Sequence, residues 1–309
     1  AMSRPLLVIT GPTASGKTAR AVACATAFDG EIVSADSRQL YRGMDLGTGK
    51  DLVEYGAVPY HLIDIRPAGC SDYTLYQYLA DANAAIDSIG ARGRLPVLCG
   101  GTGMYVEAVL NGLRLPEVPR NEELRRSLDG LSLAELTARL AGMKRLHNNT
   151  DTDTVPRAVR AIEIATYYAE HPDEAENTRP HPRTDAVVVG VSIPRDDRRR
   201  RITGRLHSRL EAGMVAEVEG LLASGVDADS LIRYGLEYKY LTEYVLGRTT
   251  YDEMVSGLET AIHQFAKRQM TWFRGMERRG WPIAWLPYDM PSDEFVAAVG
   301  ELLKSHMER

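Results

Sequence analysis

The sequence predicts an α/β fold. It reads as a P-loop NTPase-like core with a parallel sheet flanked by helices, interrupted by an all-helical insertion. Three observations carry this. An apolar run, Leu6-Leu7-Val8-Ile9, leads into G-x-x-x-x-G-K-T at residues 11–18, and an alanine-rich segment follows at 19–28, in strand–loop–helix order. Short apolar runs then alternate with helical periodicity as far as Gly112. From there the pattern is helical alone until an apolar strand returns at 186–191.

In chain order, Glu31-Ile32-Val33-Ser34 is a short buried strand ending in Ala35-Asp36-Ser37-Arg38-Gln39-Leu40-Tyr41. Ligands of parallel α/β sheets sit at the carboxyl ends of the strands, so Asp36 is expected beside the P-loop. Residues 60–65 read as a third strand and 74–91 as a helix with apolar positions at Leu75, Tyr78, Leu79, Ala82, Ile86 and Ile89. Leu95-Pro96-Val97-Leu98-Cys99 is a further strand that stops at a second Gly-rich corner, Gly100-Gly101-Thr102-Gly103, before a helix at 105–110. Residues 1–112 and 183–309 are thereby read as the core and 113–182 as the insertion. Helices are expected at 121–128, at 132–140 with a Ser132/Glu135 capping box, and at 155–168. A proline-punctuated loop is expected at 172–182. Helical patterning returns at 196–223, 241–246 and 251–274, with a strand at 283–286.

The 309 residues are 44% hydrophobic and 26% charged, enough to build a core without staples. Cys24, Cys70 and Cys99 are widely spaced and fit no metal pattern, so they read as reduced thiols of a cytoplasmic protein. His61, His207 and His263 form no ligand cluster. No run reaches membrane-spanning length, and the N-terminal apolar run is too short for a secretion signal. Net charge is −5, which argues mildly against nucleic acid, but the basic residues are concentrated. Arg195, Arg198, Arg199, Arg200, Arg201, Arg205 and Arg209 crowd one segment. Lys267, Arg268, Arg274, Arg278 and Arg279 crowd another. Such patches bind phosphate backbones or form solvated helix faces.

The loop's chemistry follows from its residue types. Gly11 and Gly16 let the backbone of Gly11, Pro12, Thr13, Ala14, Ser15 and Gly16 curl so that N–H groups converge on an anion. The helix N-terminus adds its dipole. Lys17 supplies a full charge, and the Thr18 hydroxyl suits Mg²⁺. The loop alone leaves open whether it holds a nucleotide such as ATP or another diphosphate.

With these pieces in view the sequence resembles the tRNA dimethylallyltransferases (IPP transferases) of bacterial type. The P-loop is followed by D-S-R-Q-L-Y-R-G-M-D at 36–45 with G-T-G-K at 47–50, Y-H-L-I-D at 60–64 and G-G-T-G-M-Y at 100–105. R-A-V-R-A-I-E at 157–163 and A-K-R-Q-M-T-W-F-R at 266–274 complete the set. The resemblance implies transfer of a dimethylallyl group from dimethylallyl diphosphate to N6 of adenosine 37 in tRNAs reading codons that begin with U. It implies that the P-loop grips the diphosphate leaving group, with Lys17 and Arg209 on it and Mg²⁺ on Thr18. Asp36 is the candidate base and Thr102 the hydroxyl near the reacting amine. Implied tRNA contacts are Asp36, Ser37, Arg38, Gln39, Thr102 and Arg125, with Pro156, Arg157, Ala158, Val159 and Arg160. The insertion is implied to grip the anticodon arm. A cytoplasmic monomer with no membrane contact is expected. Trp272 and Phe273 are expected to pack rather than stack on bases.

Departures from the family pattern are a short insertion with Asn148-Asn149-Thr150 at its turn and Ile262-His263 where Thr-Arg is usual. Gly49 stands where alanine is usual, and is expected to be neutral. Two other functions are compatible with the P-loop: an isopentenyltransferase acting on free adenine nucleotides, and an ATP-dependent phosphotransferase. The insertion and basic segments favour RNA over a free nucleotide. The D-S-x-Q-x-Y and K-R-Q-x-T-W-F-R runs are unexplained by a phosphotransferase.

Overall fold

The computed structural model describes residues 4–70, 73–113, 117–144, 150–176 and 180–309. The chain divides into two compact units, one formed by Ala1–Asn111 with Arg183–Arg309 and the other by Gly112–Pro182.

The first unit opens with β1 (Leu6–Thr10), α1 (Lys17–Phe28), β2 (Gly30–Ser34), β3 (Tyr41–Arg42), β4 (Tyr60–His61) and β5 (Arg66–Pro67). It continues through α2 (Leu75–Ala91), β6 (Leu95–Gly100) and α3 (Gly103–Leu110). Six strands form one sheet in the order β4-β2-β6-β1-β7-β8, and every pairing is parallel. β1, β2 and β6 are buried at every position, which is why their sequences run apolar rather than alternate. The register sets Thr10 beside Gly100 and Ser34 beside Cys99. The α/β fold expected from the sequence is thus observed.

The second unit carries α4 (Glu122–Leu128), α5 (Leu133–Met143), α6 (Val155–Glu170) and α7 (Pro172–Glu176). Asn121 caps α4, and the Ser132/Glu135 capping box forms as the sequence implies. Leu128, Leu136, Leu140, Ala158, Ala161 and Ile162 make a separate core. Asn148 and Asn149 lie outside the described residues.

The first unit resumes with β7 (Ala186–Ser192), α8 (Arg195–Glu211), α9 (Met214–Ala223), α10 (Ala228–Tyr234) and α11 (Leu236–Val245). It ends with α12 (Tyr251–Arg278), β8 (Ala284–Pro287) and α13 (Ser292–Met307). Phe295, Val299 and Leu303 of α13 close the core over Ala21 and Cys24 of α1. Burying each such large side chain stabilises the fold by about 1.5–3 kcal/mol.

Several elements differ from expectation, among them α10, which was not expected, and α11, which starts at Leu236 rather than at 241. Residues 60–65 do not form one strand: Leu62 and Asp64 adopt positive φ (65° and 57°) and turn the chain after two paired residues. It then pairs with β3 in a second, two-stranded sheet. The helical run 196–223 breaks at Gly213, whose φ of 107° no helix accepts. Within 172–182, where a loop was expected, Pro172–Glu176 form the short α7, and residues 177–179 lie outside the described residues. The helix α13 was legible as apolar residues at 295, 299 and 303 but was not expected.

Candidate active site

Three neighbouring strands bring the site together. β1 ends in the P-loop, β6 ends in the Gly100–Thr102 corner, and β2 ends beside Asp36. β6 runs between β2 and β1, yet Asp36 stands close enough to the P-loop for its carboxylate to act on Lys17. All three corners nevertheless line one cavity of about 340 Å³, together with Lys17, Thr18, Gln39 and Thr48.

The anion-binding side is strongly basic. Lys17 is half-buried, and desolvation draws its ammonium below the usual lysine range while the Asp36 carboxylate pulls the other way. Arg201, Arg205 and Arg209 stand four residues apart on α8 and line the same cavity. Burial, with Arg209 and Arg201 alongside, lowers the Arg205 pKa, and Asp51 lies 3.9 Å away. The guanidinium of Arg201 lies over the Tyr288 ring at 5.2 Å. Arg201 and Arg205 were visible in the sequence only as members of a basic run. Their four-residue spacing with Arg209 was the signal that one helix face carries all three.

On the opposite wall Asp36 Oδ1 accepts the Arg38 N–H at 2.9 Å, which fixes the carboxylate. Thr102 Oγ1 accepts the Ser37 N–H at 3.0 Å, and its own N–H donates to Ala35 O at 3.1 Å. Thr102 and the Asp36 turn are thus locked together. Arg38 donates to Glu237 at 2.7 Å, and its buried Nη2 finds no protein partner among the described residues. Gln39 donates to Thr48 O at 3.1 Å. Burial pushes the Cys99 thiol up to about 12, which disfavours its thiolate.

Gln269 was quoted in the sequence only as part of a motif, and the structure gives it a task. It is buried on α12, accepts the Thr13 N–H at 2.8 Å and donates to Gly101 O at 3.1 Å. It staples the P-loop to the Gly-rich corner. Ile262 also lines the cavity. His263 is nearly buried with Glu259 at 3.6 Å, and burial with Arg199 nearby lowers its pKa. Phe273 is fully buried, and Trp272 is partly exposed under the Arg279 guanidinium.

The remaining tRNA-contact expectations fall in the second unit. Arg125 and Arg160 both bind Glu163, Arg125 at 2.7 and 2.9 Å, and Arg160 also donates to Val118 O at 2.9 Å. Burial would raise the Glu163 pKa, but bonds from Arg125, the Asn121 N–H and Arg160 bring it to about 2. Arg157 is exposed and pairs with Asp153, and Pro156 opens α6. Ala158 is fully buried and Val159 packs against the same core. The Ala158 side chain therefore packs into that core and does not face an RNA.

Among the described residues no three His, Cys, Asp or Glu side chains cluster as a metal site. The Thr18 hydroxyl and the Asp36 carboxylate are hard oxygen donors in the cavity. Such a sparse set fits Mg²⁺, which keeps its waters and leans on substrate phosphates, better than a metal needing a full protein cage. Among the described residues no helix is long and apolar enough to cross a membrane.

Residues 39–276 match the family model described as IPP transferase. The chain is 57% identical over 301 residues to tRNA dimethylallyltransferase 1 of Porphyromonas gingivalis, covering 96% of this chain and 98% of that one. It is 57% identical over 303 residues to tRNA dimethylallyltransferase 2 of Bacteroides fragilis, covering 97% and 98%. Its structure matches the full-length tRNA isopentenylpyrophosphate transferase of Bacillus halodurans with a TM-score of 0.71 at 30% identity, over 99% and 98% of the two chains. A eukaryotic dimethylallyltransferase acting on tRNA shares the fold, with a TM-score of 0.81 at 20% identity over 98% of this chain and 80% of that one. A family match across most of the chain, with relatives more than half identical over almost their whole length, makes this chain a member of the IPP transferase family.

Proposed function

We propose that the protein transfers the dimethylallyl group of dimethylallyl diphosphate to N6 of adenosine 37 in tRNAs reading codons that begin with U. One observation carries this reading: a carboxylate, a threonine hydroxyl and a basic phosphate-cradling loop open into a single cavity. A P-loop phosphotransferase also sets a carboxylate beside its phosphates, but it leaves the D-S-x-Q-x-Y and K-R-Q-x-T-W-F-R runs unexplained.

In the reaction the allylic C1–O bond breaks and its electron pair leaves with diphosphate. The C1–N6 bond forms, and the N6 proton passes to Asp36. The loop N–H groups, Lys17 and the α8 arginines neutralise the charge gathering on the leaving group. Mg²⁺ bound by the Thr18 hydroxyl and diphosphate oxygens would add to that neutralisation. The adenine amine is a weak nucleophile because its lone pair is delocalised, so removal of its proton as the bond forms matters. Asp36 Oδ2 makes no hydrogen bond to the described residues and is free for it, while Oδ1 is held by Arg38 N–H. Thr102 keeps the Asp36 turn in register. The base must leave its stack to enter, at a cost of a few kcal/mol. Arg125, Arg157 and Arg160 in the insertion are proposed to hold the anticodon arm, with Pro156 in the first turn of the helix that carries Arg157 and Arg160. We assign the enzyme to the cytoplasm as a monomer.

The test is a transfer assay with labelled dimethylallyl diphosphate and Mg²⁺, offered an anticodon stem-loop, free AMP, or ATP without acceptor. Label on the stem-loop that disappears when adenosine 37 is replaced is the expected result. Label on AMP alone would assign the cavity to free nucleotides, and ATP turnover without label would overturn prenyl transfer.

A further inference from the structure

The turn at residues 45–50 forms one wall of the cavity and is held from several sides. Glu217 of α9 accepts the N–H groups of Asp45, Leu46 and Gly47 at 3.1, 2.8 and 3.3 Å, and the Tyr238 hydroxyl donates to it at 2.6 Å. The Lys50 ammonium is fully buried. It donates to Tyr41 O at 2.5 Å and to Asp45 at 3.1 Å, and pairs with Asp64. The Thr48 hydroxyl donates to Met44 O at 2.5 Å. A backbone tied by this many bonds does not retreat to relieve a close contact.

Gly49 lies in this turn at φ +67°, directly beneath the guanidinium of Arg209. A Cβ at position 49 would stand 3.0 Å from Arg209 Cζ and 3.1 Å from Nη1, and nearer still to Nη2. Those are distances real Cβ atoms do not tolerate at Nη2, and all three nearest atoms belong to Arg209. The other two arginines on the helix face have anchors of their own, Tyr288 for Arg201 and Asp51 for Arg205. Arg209 makes no hydrogen bond or ion pair with the described residues. Its place is therefore set by packing on the bare Cα of Gly49, and its donors remain free toward the cavity.

We infer that Gly49 is a positioning residue that seats the Arg209 guanidinium over the leaving-group diphosphate, the two acting as one unit in donor binding. On this reading Gly49 is part of the seat and differs from the neutral replacement expected from the sequence. The inference rests on the prenyl-donor reading of the cavity. Because the turn is fixed and the arginine is flexible, a side chain at position 49 displaces the guanidinium and leaves the fold in place.

The experiment measures pyrophosphate binding by calorimetry, and KM for dimethylallyl diphosphate and for the stem-loop separately. The full-length protein is compared with Gly49→Ala, Gly49→Asn, Arg209→Ala, Gly49→Ala/Arg209→Ala and Lys17→Ala. Asparagine accepts the left-handed backbone while still carrying a Cβ, so it separates the steric effect from backbone strain. Both Gly49 variants are expected to weaken pyrophosphate about tenfold and raise the donor KM to match, with the stem-loop KM unchanged. The double variant is expected to equal Arg209→Ala, because the seat has no value without its occupant. Unchanged donor constants in the Gly49 variants would overturn the inference. So would a Gly49→Ala effect that adds in full to Arg209→Ala. If Lys17→Ala also leaves pyrophosphate affinity intact, the diphosphate reading fails and the inference with it. If Lys17→Ala alone weakens binding, only the role of Gly49 falls.

Discussion

At the scale of single residues, two carboxylates illustrate opposite uses of the same group. Asp36 is held through one oxygen by the Arg38 N–H, and its other oxygen makes no hydrogen bond to the described residues. Asp36→Ala is expected to retain stem-loop binding and to lose transfer by about 10² or more, the range for a positioned base. An equal loss of stem-loop affinity in a binding assay would remove the base assignment. Glu163 is spent on structure, with Arg125, Arg160 and the Asn121 N–H all directed at it. Its pKa is about 2 when folded, against 4.5 as the ordinary value. A depressed carboxyl pKa stabilises the fold above the unfolded pKa, and the contribution is lost as pH falls through the folded pKa. At pH 7 the shift corresponds to about 3 kcal/mol. Glu163→Gln is therefore expected to destabilise the insertion by that order at pH 7. The gap between variant and parent in thermal melts should close between pH 4.5 and 2. A gap that is independent of pH would mean the loss is one of packing.

At the scale of elements, the long helix α12 acts through one residue near its middle. Gln269 joins the Thr13 N–H to Gly101 O, tying two phosphate-side corners that come from different strands. Gln269→Leu keeps the volume and removes both bonds. It should cost about 1–3 kcal/mol for the polar groups left unpaired, and weaken donor binding while sparing stem-loop binding. A variant with normal melting and normal donor KM would make Gln269 a bystander. This staple marks where sequence reading stopped. The P-loop, the Ser132/Glu135 capping box and the α/β alternation are local signals, carried by spacing alone, and each was legible. The partner of Gln269 lies 256 residues away, and nothing in its neighbourhood names it. The same holds for strand order: local pattern gave the strands but not β6 between β2 and β1. The left-handed turn at Leu62 was also hidden, because leucine rarely takes a positive φ, while aspartate at 64 permits one without requiring it.

At the scale of the whole molecule, the chain leaves the first unit at Asn111 and re-enters it at Arg183. Within that unit the Arg183 N–H donates to Leu110 O at 2.8 Å, so the exit and return points are already adjacent. The first unit has its own sheet-centred core, and the second has a separate one around Leu136, Leu140 and Ile162. Two cores and a closed neck mean that residues 112–182 can be replaced by a short glycine linker without opening the sheet. The cavity, with its P-loop, Asp36, Thr102 and arginines, is built from the first unit alone. The shortened protein is expected to melt cooperatively and to bind pyrophosphate as the parent does. Its affinity for the stem-loop should fall by more than tenfold, with a smaller dependence on salt, because phosphate contacts are lost together with the Arg125, Arg157 and Arg160 side chains. Calorimetry with pyrophosphate and a salt titration of stem-loop binding read the two effects separately. Loss of pyrophosphate binding would mean that the insertion completes the donor cavity. Undiminished stem-loop affinity would move RNA recognition to the basic faces of α8 and α12, where Arg195, Arg198, Arg199 and Arg274 lie.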